Sequence, residues 1–388
     1  MDVLKPVDDV QIILSPEQLT SPREDLKIVG TFNPGVTTIE EEGLEKTLLM
    51  VRIAVQKKTE KPGKISAPYF IVKNEDSSPF NITFDENDQS NLKKVNKKDI
   101  QLADGRWRLR HTSYQIVCVI DKKGKMERIS EPIFYPQYEH ERFGVEDCRI
   151  TRMDEEIRFN GESYKYIITY VPPHRETRVG TAFALTNDFR KFKRIKPSPE
   201  DTPRTIITEK DISFFPRKIK MVDIDGKQIS KFAALSRPSS FRTISSPDMT
   251  FRYSTKLLEW GPDYSLVESV NGGASGPGPA PVFLDEECLW LVGYHTIEET
   301  PEGPVYRANL IGLDEEKPWE VRYRSVPFIQ PNEHNRKDKA YVPNVFYIMG
   351  LELKHGGDLI EIIGGENDES ISRRIYNRKD LVGFLTSQ

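Results

Sequence analysis

Short apolar runs that end in polar or charged side chains recur along this chain and restrict the folds it can adopt. The five clearest runs are residues 48–53, 166–170, 232–238, 289–295 and 359–368. Glycine, proline, asparagine and aspartate bound these runs, and helical periodicity is scarce. Both features are typical of short β-strands joined by turns. The sequence therefore predicts an all-β protein.

The spacing of these runs indicates how the strands are grouped. The later runs recur roughly 60 to 70 residues apart, which is longer than the repeat of WD40 or kelch proteins. One strand per repeat, with functional side chains at its end, suits four-stranded sheets arranged radially around a central channel. We predict a five-bladed β-propeller that forms a single catalytic domain over residues 1–388, with an inserted loop region at about residues 56–112.

Composition and charge restrict the partners and the compartment. The 388 residues carry a net charge of −4, which argues against nucleic acid as a partner. No apolar run approaches the roughly 20 residues that span a bilayer, and the N-terminal residues are not typical of a secretory signal. Three widely spaced cysteines without a CxxC pair favour reduced thiols inside a cell. We expect a cytoplasmic protein that binds neither nucleic acid nor membranes; a homo-oligomer is compatible with the sequence.

Two adjacent carboxylates beside an arginine form the most distinctive short motif. Glu146, Asp147 and Arg149 lie between a glycine and the start of an apolar strand. In a regular strand, Glu146 and Asp147 point to opposite faces, whereas Asp147 and Arg149 share one face. The Arg149 guanidinium could then lower the pKa of the Asp147 carboxyl or orient a substrate hydroxyl. The alternative is a surface turn closed by a salt bridge.

Two further polar residues are candidates for binding a sugar. Asn33 precedes Pro34, which favours extended backbone at Asn33, and its amide offers both a donor and an acceptor to a hydroxyl. Arg52 lies within an apolar strand, where burial is unfavourable unless a carboxylate lies nearby. The alternatives are a plain turn at Asn33 and an outward-facing Arg52. No metal-binding spacing, P-loop or GxSxG pattern is present in the sequence.

Ten segments, taken in order over about residues 25–370, resemble glycoside hydrolase family 130, the β-mannoside phosphorylases and β-mannosidases. They are residues 32–35, 49–52, 144–150, 210–216, 236–238, 278–281, 294–295, 306–307, 341–346 and 365–368. The resemblance implies a five-bladed β-propeller, a β-mannoside oligosaccharide as substrate and an inverting cleavage of its β-mannosidic bond. It also implies that Asp147 is the catalytic acid and protonates the leaving oxygen through the mannose O3 hydroxyl.

The resemblance further implies which residues hold the mannose at the cleavage site. Asn33, Arg52 and Asp368, together with Asp147, match the family positions that hydrogen-bond to its hydroxyls. We add Arg149 to these substrate-binding candidates because it shares a strand face with Asp147 in the predicted structure.

The phosphate site of the family matches this chain only in part. Lys210 stands where the family has its first phosphate-binding arginine, so the charge is kept but bidentate geometry is lost. The second arginine and the supporting pair match Arg237, His295 and Tyr306. The family lysine is expected near Ala274, yet no lysine lies between residues 256 and 317.

A weakened phosphate site favours hydrolysis over phosphorolysis. We therefore expect an inverting, β-1,2-mannosidase-like hydrolase in which Glu209, next to Lys210, is a possible general base for water. The alternative is a β-mannoside phosphorylase that releases mannose 1-phosphate, with inorganic phosphate as co-substrate. Neither reaction is expected to need a metal or another cofactor. A non-catalytic sugar-binding propeller is the third possibility.

Overall fold

The computed structural model describes residues 4–73, 77–173, 180–195, 209–222, 226–238, 248–257, 263–268, 273–301, 303–330 and 341–388. Within these ranges the chain folds mainly into antiparallel β-strands, followed by a C-terminal helix, α1 (Arg378–Thr386). The prediction of an all-β protein is confirmed.

Most strands belong to five sheets that follow one another along the chain. Sheet I has the order β2 (Leu26–Glu41), β3 (Leu44–Lys57), β9 (Thr112–Ile120) and β10 (Met126–Ile129). Sheet II consists of β11 (Glu146–Phe159), β12 (Glu162–Val171), β13 (Ala182–Thr186) and β14 (Lys193–Ile195). Sheet III consists of β15 (Glu209–Phe214), β17 (Gln228–Pro238), β18 (Met249–Ser254) and β19 (Asp263–Val267), with β16 (Ile219–Val222) also paired to β17.

The last two sheets repeat this pattern. Sheet IV consists of β20 (Ala274–Pro277), β22 (Leu289–Thr300), β23 (Gly303–Asp314) and β24 (Val321–Arg324), with β21 (Val282–Leu284) also paired to β22. Sheet V has the order β25 (Phe346–Lys354), β26 (Leu359–Glu366), β27 (Ser370–Asn377) and β1 (Gln11–Leu14). The outer strand of the last sheet therefore comes from the N-terminal part of the chain.

The residues between β3 and β9 form two smaller sheets. One is the hairpin of β4 (Lys64–Phe70) and β5 (Ile82–Asp88). The other contains β6 (Lys94–Val95), β7 (Asp99–Gln101) and β8 (Trp107–Leu109). Ile65, Ala67 and Ile100 form a small buried cluster between them. Since β3 and β9 pair directly with each other, this segment leaves sheet I and returns to it.

The central strands of the large sheets, such as β3, β9 and β26, are buried on both faces, which explains why they are continuous apolar runs in the sequence. In β3, Leu48 and Met50 pack towards sheet II, whereas Leu49 and Val51 pack towards sheet V. The other sheet interfaces are filled by Ile167 with Phe214, Leu235 with Trp290, and Leu310 with Ile348. Each sheet thus packs on its neighbours in chain order, and sheet V packs on sheet I.

Candidate active site

Four polar residues at the site adopt a left-handed backbone conformation that side chains other than glycine rarely take. They are Asn33 (φ 47°), Asp147 (φ 48°), Asp211 (φ 61°) and Asp368 (φ 49°). At the first three, the strand register shifts against the paired strand. Such a bulge redirects a side chain out of the regular alternation. The extended backbone predicted for Asn33 is therefore wrong, since the bulge at this position outweighs the effect of Pro34.

The carboxylate of Asp147 lies among residues from two sheets. Asn33 Nδ2 and Arg52 Nη1 each donate a 2.9 Å hydrogen bond to Asp147 Oδ1. Arg52 Nη2 donates a 2.5 Å hydrogen bond to Glu146 Oε1. Both carboxylates therefore face the same guanidinium. The prediction that Glu146 and Asp147 point to opposite faces is wrong, because the left-handed backbone at Asp147 interrupts the strand alternation.

Arg52 is 3% exposed and has partners on all sides. Its Nε donates to Ser113 Oγ at 3.1 Å, and its guanidinium carbon lies 4.6 Å from the centre of the Phe32 ring. Burial alone would lower the pKa of Arg52, but Glu146 and Asp147 outweigh it and raise that pKa. The two carboxylates thus compensate for the unfavourable burial of this charge.

His111, a neutral histidine, connects the Arg52 guanidinium to Tyr341. Arg52 Nη2 lies 3.0 Å from His111 Nε2 and can only donate, so Nε2 accepts. Nδ1 then carries the proton and donates to Tyr341 Oη at 2.8 Å. Burial lowers the pKa of His111, which keeps the ring neutral. Sequence reasoning missed His111. The available signal was indirect: Tyr341, which contacts His111 in the fold, belongs to a segment that resembles the family.

A second charged group is centred on Asp211, which is fully buried. Arg149 Nη2 and Tyr347 Oη donate to its Oδ1 at 3.0 and 3.1 Å, and Arg237 Nη2 lies 2.9 Å from its Oδ2. Burial alone would raise the pKa of Asp211, but Arg237, Arg149 and Lys210 hold it well below the usual range. Sequence reasoning missed Asp211 although it directly follows Lys210 in a matched segment.

Arg149 supports the backbone of Asp147 and does not contact its carboxylate. Its Nη1 donates to the Asp147 carbonyl oxygen at 3.2 Å, and its Nε donates to the Gly278 carbonyl oxygen at 2.9 Å. The guanidinium therefore faces Asp211, and the prediction that Asp147 and Arg149 share one strand face is wrong. The bulge again explains the difference, because it rotates the two side chains away from a common face.

The remaining phosphate-site candidates surround the same carboxylate. Within the described residues the Lys210 side chain has no hydrogen bond or ion pair, and burial lowers its pKa. His295 Nε2 lies 3.9 Å from Asp211 Oδ2, and burial keeps the pKa of His295 well below its ordinary value. The His295 ring lies 4.4 Å from the Tyr347 ring and 6.2 Å from the Tyr306 ring, measured between centres. These candidates are therefore close together.

Two further candidates are buried and paired with cations. Asp368 is 8% exposed, and Lys98 Nζ from the small sheets lies 3.6 Å from its Oδ2. Glu209 is 3% exposed and forms an ion pair with Arg252.

The described residues contain no group of three or more His, Cys, Asp or Glu side chains that could hold a metal ion. A search of the same residues finds no helix long and apolar enough to cross a membrane.

Comparison with known proteins identifies the family. The family model described as β-1,4-mannooligosaccharide phosphorylase, glycoside hydrolase family 130, matches residues 114–386. The chain belongs to glycoside hydrolase family 130. It is thus an enzyme of the family 130 type, and the phosphorylases of this family use inorganic phosphate as co-substrate without a further cofactor.

Relatives of this family 130 enzyme are named as phosphorylases. The β-1,2-mannobiose phosphorylase of Listeria innocua is 25% identical over 373 residues, which cover 93% of this chain and 92% of the relative. The β-1,4-mannooligosaccharide phosphorylase of Ruminococcus albus is 27% identical over 176 residues, covering 45% of this chain and 49% of the relative. These names fit phosphorolysis better than the hydrolysis expected from the sequence.

Solved structures share the fold of this chain. The β-1,2-mannobiose phosphorylase of Listeria innocua, solved in complex with β-1,2-mannobiose, superposes with a TM-score of 0.77 at 24% identity, over 97% of both chains. A glycoside hydrolase structure from Parabacteroides distasonis, described as putative, has a TM-score of 0.59 at 16% identity, over 97% of this chain and 94% of its own.

Proposed function

We propose that this family 130 enzyme is a β-mannoside phosphorylase that cleaves β-1,2-mannobiose or related short β-mannosides. The observation that supports this most is the charge around Asp211. Three cations, Arg149, Lys210 and Arg237, act on this single carboxylate, which leaves an excess of two positive charges when Lys210 is protonated. That excess matches a hydrogen phosphate dianion, and directed N–H groups are the usual ligands of phosphate.

Asp147 connects the two charged groups, because its carboxylate accepts from Arg52 and its carbonyl oxygen accepts from Arg149. In the proposed reaction, a phosphate oxygen bonds to the anomeric carbon while the bond to the glycosidic oxygen breaks, with inversion. Asp147 supplies the proton that the leaving oxygen needs, through the mannose O3 hydroxyl. Asn33 and Arg52 both donate to Asp147 Oδ1, so Oδ2 is the oxygen that carries this proton. The products are mannose 1-phosphate and the shortened sugar.

The proposed roles of the other candidates follow from their contacts. Asn33, Arg52 and Asp368 hold the mannose at the cleavage site. Arg149 is reassigned from the sugar to the phosphate side, because its guanidinium faces Asp211. The list of phosphate-site residues is then Arg149, Lys210, Arg237, His295 and Tyr306.

We also infer that the five sheets are the blades of a five-bladed β-propeller that forms one domain. The successive contacts between neighbouring sheets, the contact of sheet V with sheet I, and the pairing of β1 with β27 support this arrangement. A crystal structure in which two neighbouring sheets are separated by a gap would contradict it.

Product analysis with and without phosphate tests the activity. We expect β-1,2-mannobiose to yield mannose 1-phosphate and mannose only when inorganic phosphate is present. The variant Arg237→Met should raise the KM for phosphate by about tenfold or more, since a charge-assisted hydrogen bond contributes about 1.5–3 kcal/mol, with little change in the KM for mannobiose. Release of mannose at equal rates in both buffers would overturn the proposal in favour of hydrolysis.

Glu209 provides a separate test of the hydrolytic alternative. Its carboxylate is engaged with Arg252, which does not favour its role as the base that activates water. We expect Glu209→Gln to retain phosphorolysis within about tenfold, because phosphate needs no such base. A loss of the order of 10³-fold, together with phosphate-independent turnover of the wild type, would restore Glu209 as the general base.

A further inference from the structure

Residues 96–99 form a hydrogen-bonded turn between β6 and β7. This turn extends towards the sugar side of the site, which contains Arg52 and Asp368. The backbone N–H of Asn96 donates to the Asp99 carbonyl oxygen at 3.0 Å. The Asn96 side-chain oxygen accepts from the N–H groups of Lys98 and Asp99 at 2.8 and 2.7 Å. Arg110 Nη1 donates to the Asn96 carbonyl oxygen at 3.0 Å. These bonds fix the backbone direction of the two lysines at the centre of the turn.

Both lysines of this turn approach residues that line the site. Lys98 Nζ lies 3.6 Å from Asp368 Oδ2, and Lys97 Nζ lies 5.9 Å from the centre of the Tyr341 ring. Gln56 Nε2 donates both to the Lys97 carbonyl oxygen at 3.5 Å and to Tyr341 Oη at 3.0 Å. Tyr341 in turn contacts His111, and hence Arg52. The turn is therefore connected to Asp368 through Lys98, and to Arg52 through Gln56, Tyr341 and His111.

The charges show why the position of Lys98 matters. Asp368 is 8% exposed, and within the described ranges Lys98 is its ion-pair partner. An ammonium group has three N–H donors, and the Lys98 side chain is 40% exposed. Lys98 can thus attract the carboxylate as an ion-pair partner at 3.6 Å and still present its N–H donors to a ligand at the mouth of the site.

We propose that Lys98 is a substrate-positioning residue: it orients Asp368 and donates to a hydroxyl of the mannoside, so that the inserted turn forms one wall of the sugar site. This inference rests on the proposed function, because it takes the mannose to be held by Asp368. A rim ion pair without a ligand role would contribute little to stability and nothing to substrate affinity.

The test compares three variants of the full-length protein by calorimetric binding of β-1,2-mannobiose and by steady-state kinetics. We expect Lys98→Met to raise both the Kd and the KM for mannobiose by about tenfold, with kcat changed less than about threefold. Lys98→Arg should recover most of the affinity, because it keeps a donor of the same charge. Lys93→Met is the matched control, since Lys93 is an exposed lysine of the same segment, and should behave as the wild type.

The outcomes separate this inference from the proposed function. If Lys98→Met and Lys93→Met bind mannobiose equally well, the role of Lys98 is overturned even though phosphate-dependent cleavage persists. If Lys98→Met lowers the melting temperature without changing Kd, the residue is merely structural and the inference is also overturned. If the wild type releases mannose without phosphate, the proposed function fails, whereas the binding comparison still decides the role of Lys98.

Discussion

Asp147 and Glu146 share one guanidinium, and in the proposed reaction only Asp147 acts as the acid. We expect Asp147→Asn to reduce turnover by roughly 10²- to 10⁴-fold, which is the usual contribution of a general acid. Glu146→Gln is the matched control, because it also removes one carboxylate from Arg52 but leaves Asp147 in place. It should reduce turnover by less than about tenfold.

The two variants are compared by initial rates of phosphorolysis and by thermal unfolding. Asp147→Asn should remain folded at room temperature, since Arg52 keeps its contacts with Glu146, Ser113 and His111. Unfolding of this variant at room temperature, or an equal loss of rate in both variants, would show that Asp147 is structural.

Lys210 should give phosphate binding an alkaline limit. Burial lowers its pKa from the ordinary value of 10.5, and the ammonium exists only below that lowered pKa. As the pH rises through it, the cluster around Asp211 loses a positive charge, so the KM for phosphate should rise. In Lys210→Arg the side chain stays charged, and this rise should disappear.

The KM for mannobiose, measured in the same pH series, is the control for this prediction. This KM should not follow the titration of Lys210, because in the proposed reaction other residues hold the sugar. A wild-type KM for phosphate that stays constant up to about pH 10 would argue against a role of the lysine charge.

At the scale of the single residue, the sequence was sufficient to select residues that lie close together but not to predict their contacts. Asn33, Arg52 and Asp147 stand in short recognisable segments, and the structure brings them together. The direction of Arg149 could not be predicted, because it depends on a bulge that regular strand geometry does not contain. His111 lies in a polar stretch without a motif, and only the fold brings it to Arg52.

At the scale of the strand, Gly365 of β26 allows Asn33 to approach the backbone of that strand closely. A Cβ at Gly365 would lie against Asn33 Oδ1 and 3.1 Å from the Asn33 backbone nitrogen. We expect Gly365→Ala to destabilise the fold by about 1–3 kcal/mol, as overpacking does, and to reduce turnover by displacing Asn33.

The control for this prediction is Gly383→Ala in α1. A Cβ at Gly383 meets no atom within 4 Å, so this change should leave activity unaffected and stabilise the helix by about 0.5–1 kcal/mol. Denaturant unfolding and initial rates distinguish the two variants. Equal stability and activity of both alanine variants would show that the close approach at Gly365 is not required.

The strands themselves were predictable, because their apolar runs are long and bounded by turn residues. The five runs fall on strands of the large sheets, in β3, β12, β17, β22 and β26, except that Asn367 and Asp368 follow the end of β26. The two small sheets were not predicted. Their strands are short and their polar residues numerous, so the apolar pattern across residues 64–109 is too weak to distinguish strands from a loop.

At the scale of the whole molecule, β1 connects the two ends of the chain within sheet V. Leu14 is 1% exposed and packs in the cluster between sheets I and V, whereas Ile12 of the same strand is 41% exposed. We expect Leu14→Ala to lower the free energy of unfolding by about 2–4 kcal/mol, as for other buried leucines. Ile12→Ala should change this free energy by less than about 0.5 kcal/mol.

Thermal or denaturant unfolding checks this prediction, and the pair of variants controls for the effect of changing any residue of β1. If both variants lose the same stability, the burial of Leu14 is not what attaches the strand. The grouping of strands by spacing could be predicted from the sequence, but the contribution of β1 to the last sheet could not, because it joins residues more than 350 positions apart.

The pairing of β1 with β27 also determines when a newly made chain can finish folding. A ribosome that adds about 5–20 residues per second needs roughly 20 to 70 s to proceed from the first of these strands to the second. Throughout that time Ile13 and Leu14, buried in the finished protein, have no partner strand and remain open to other chains. A message truncated before the codon for Ser370 lacks β27, so Ile13 and Leu14 would never be paired. Its product is expected to aggregate or be degraded.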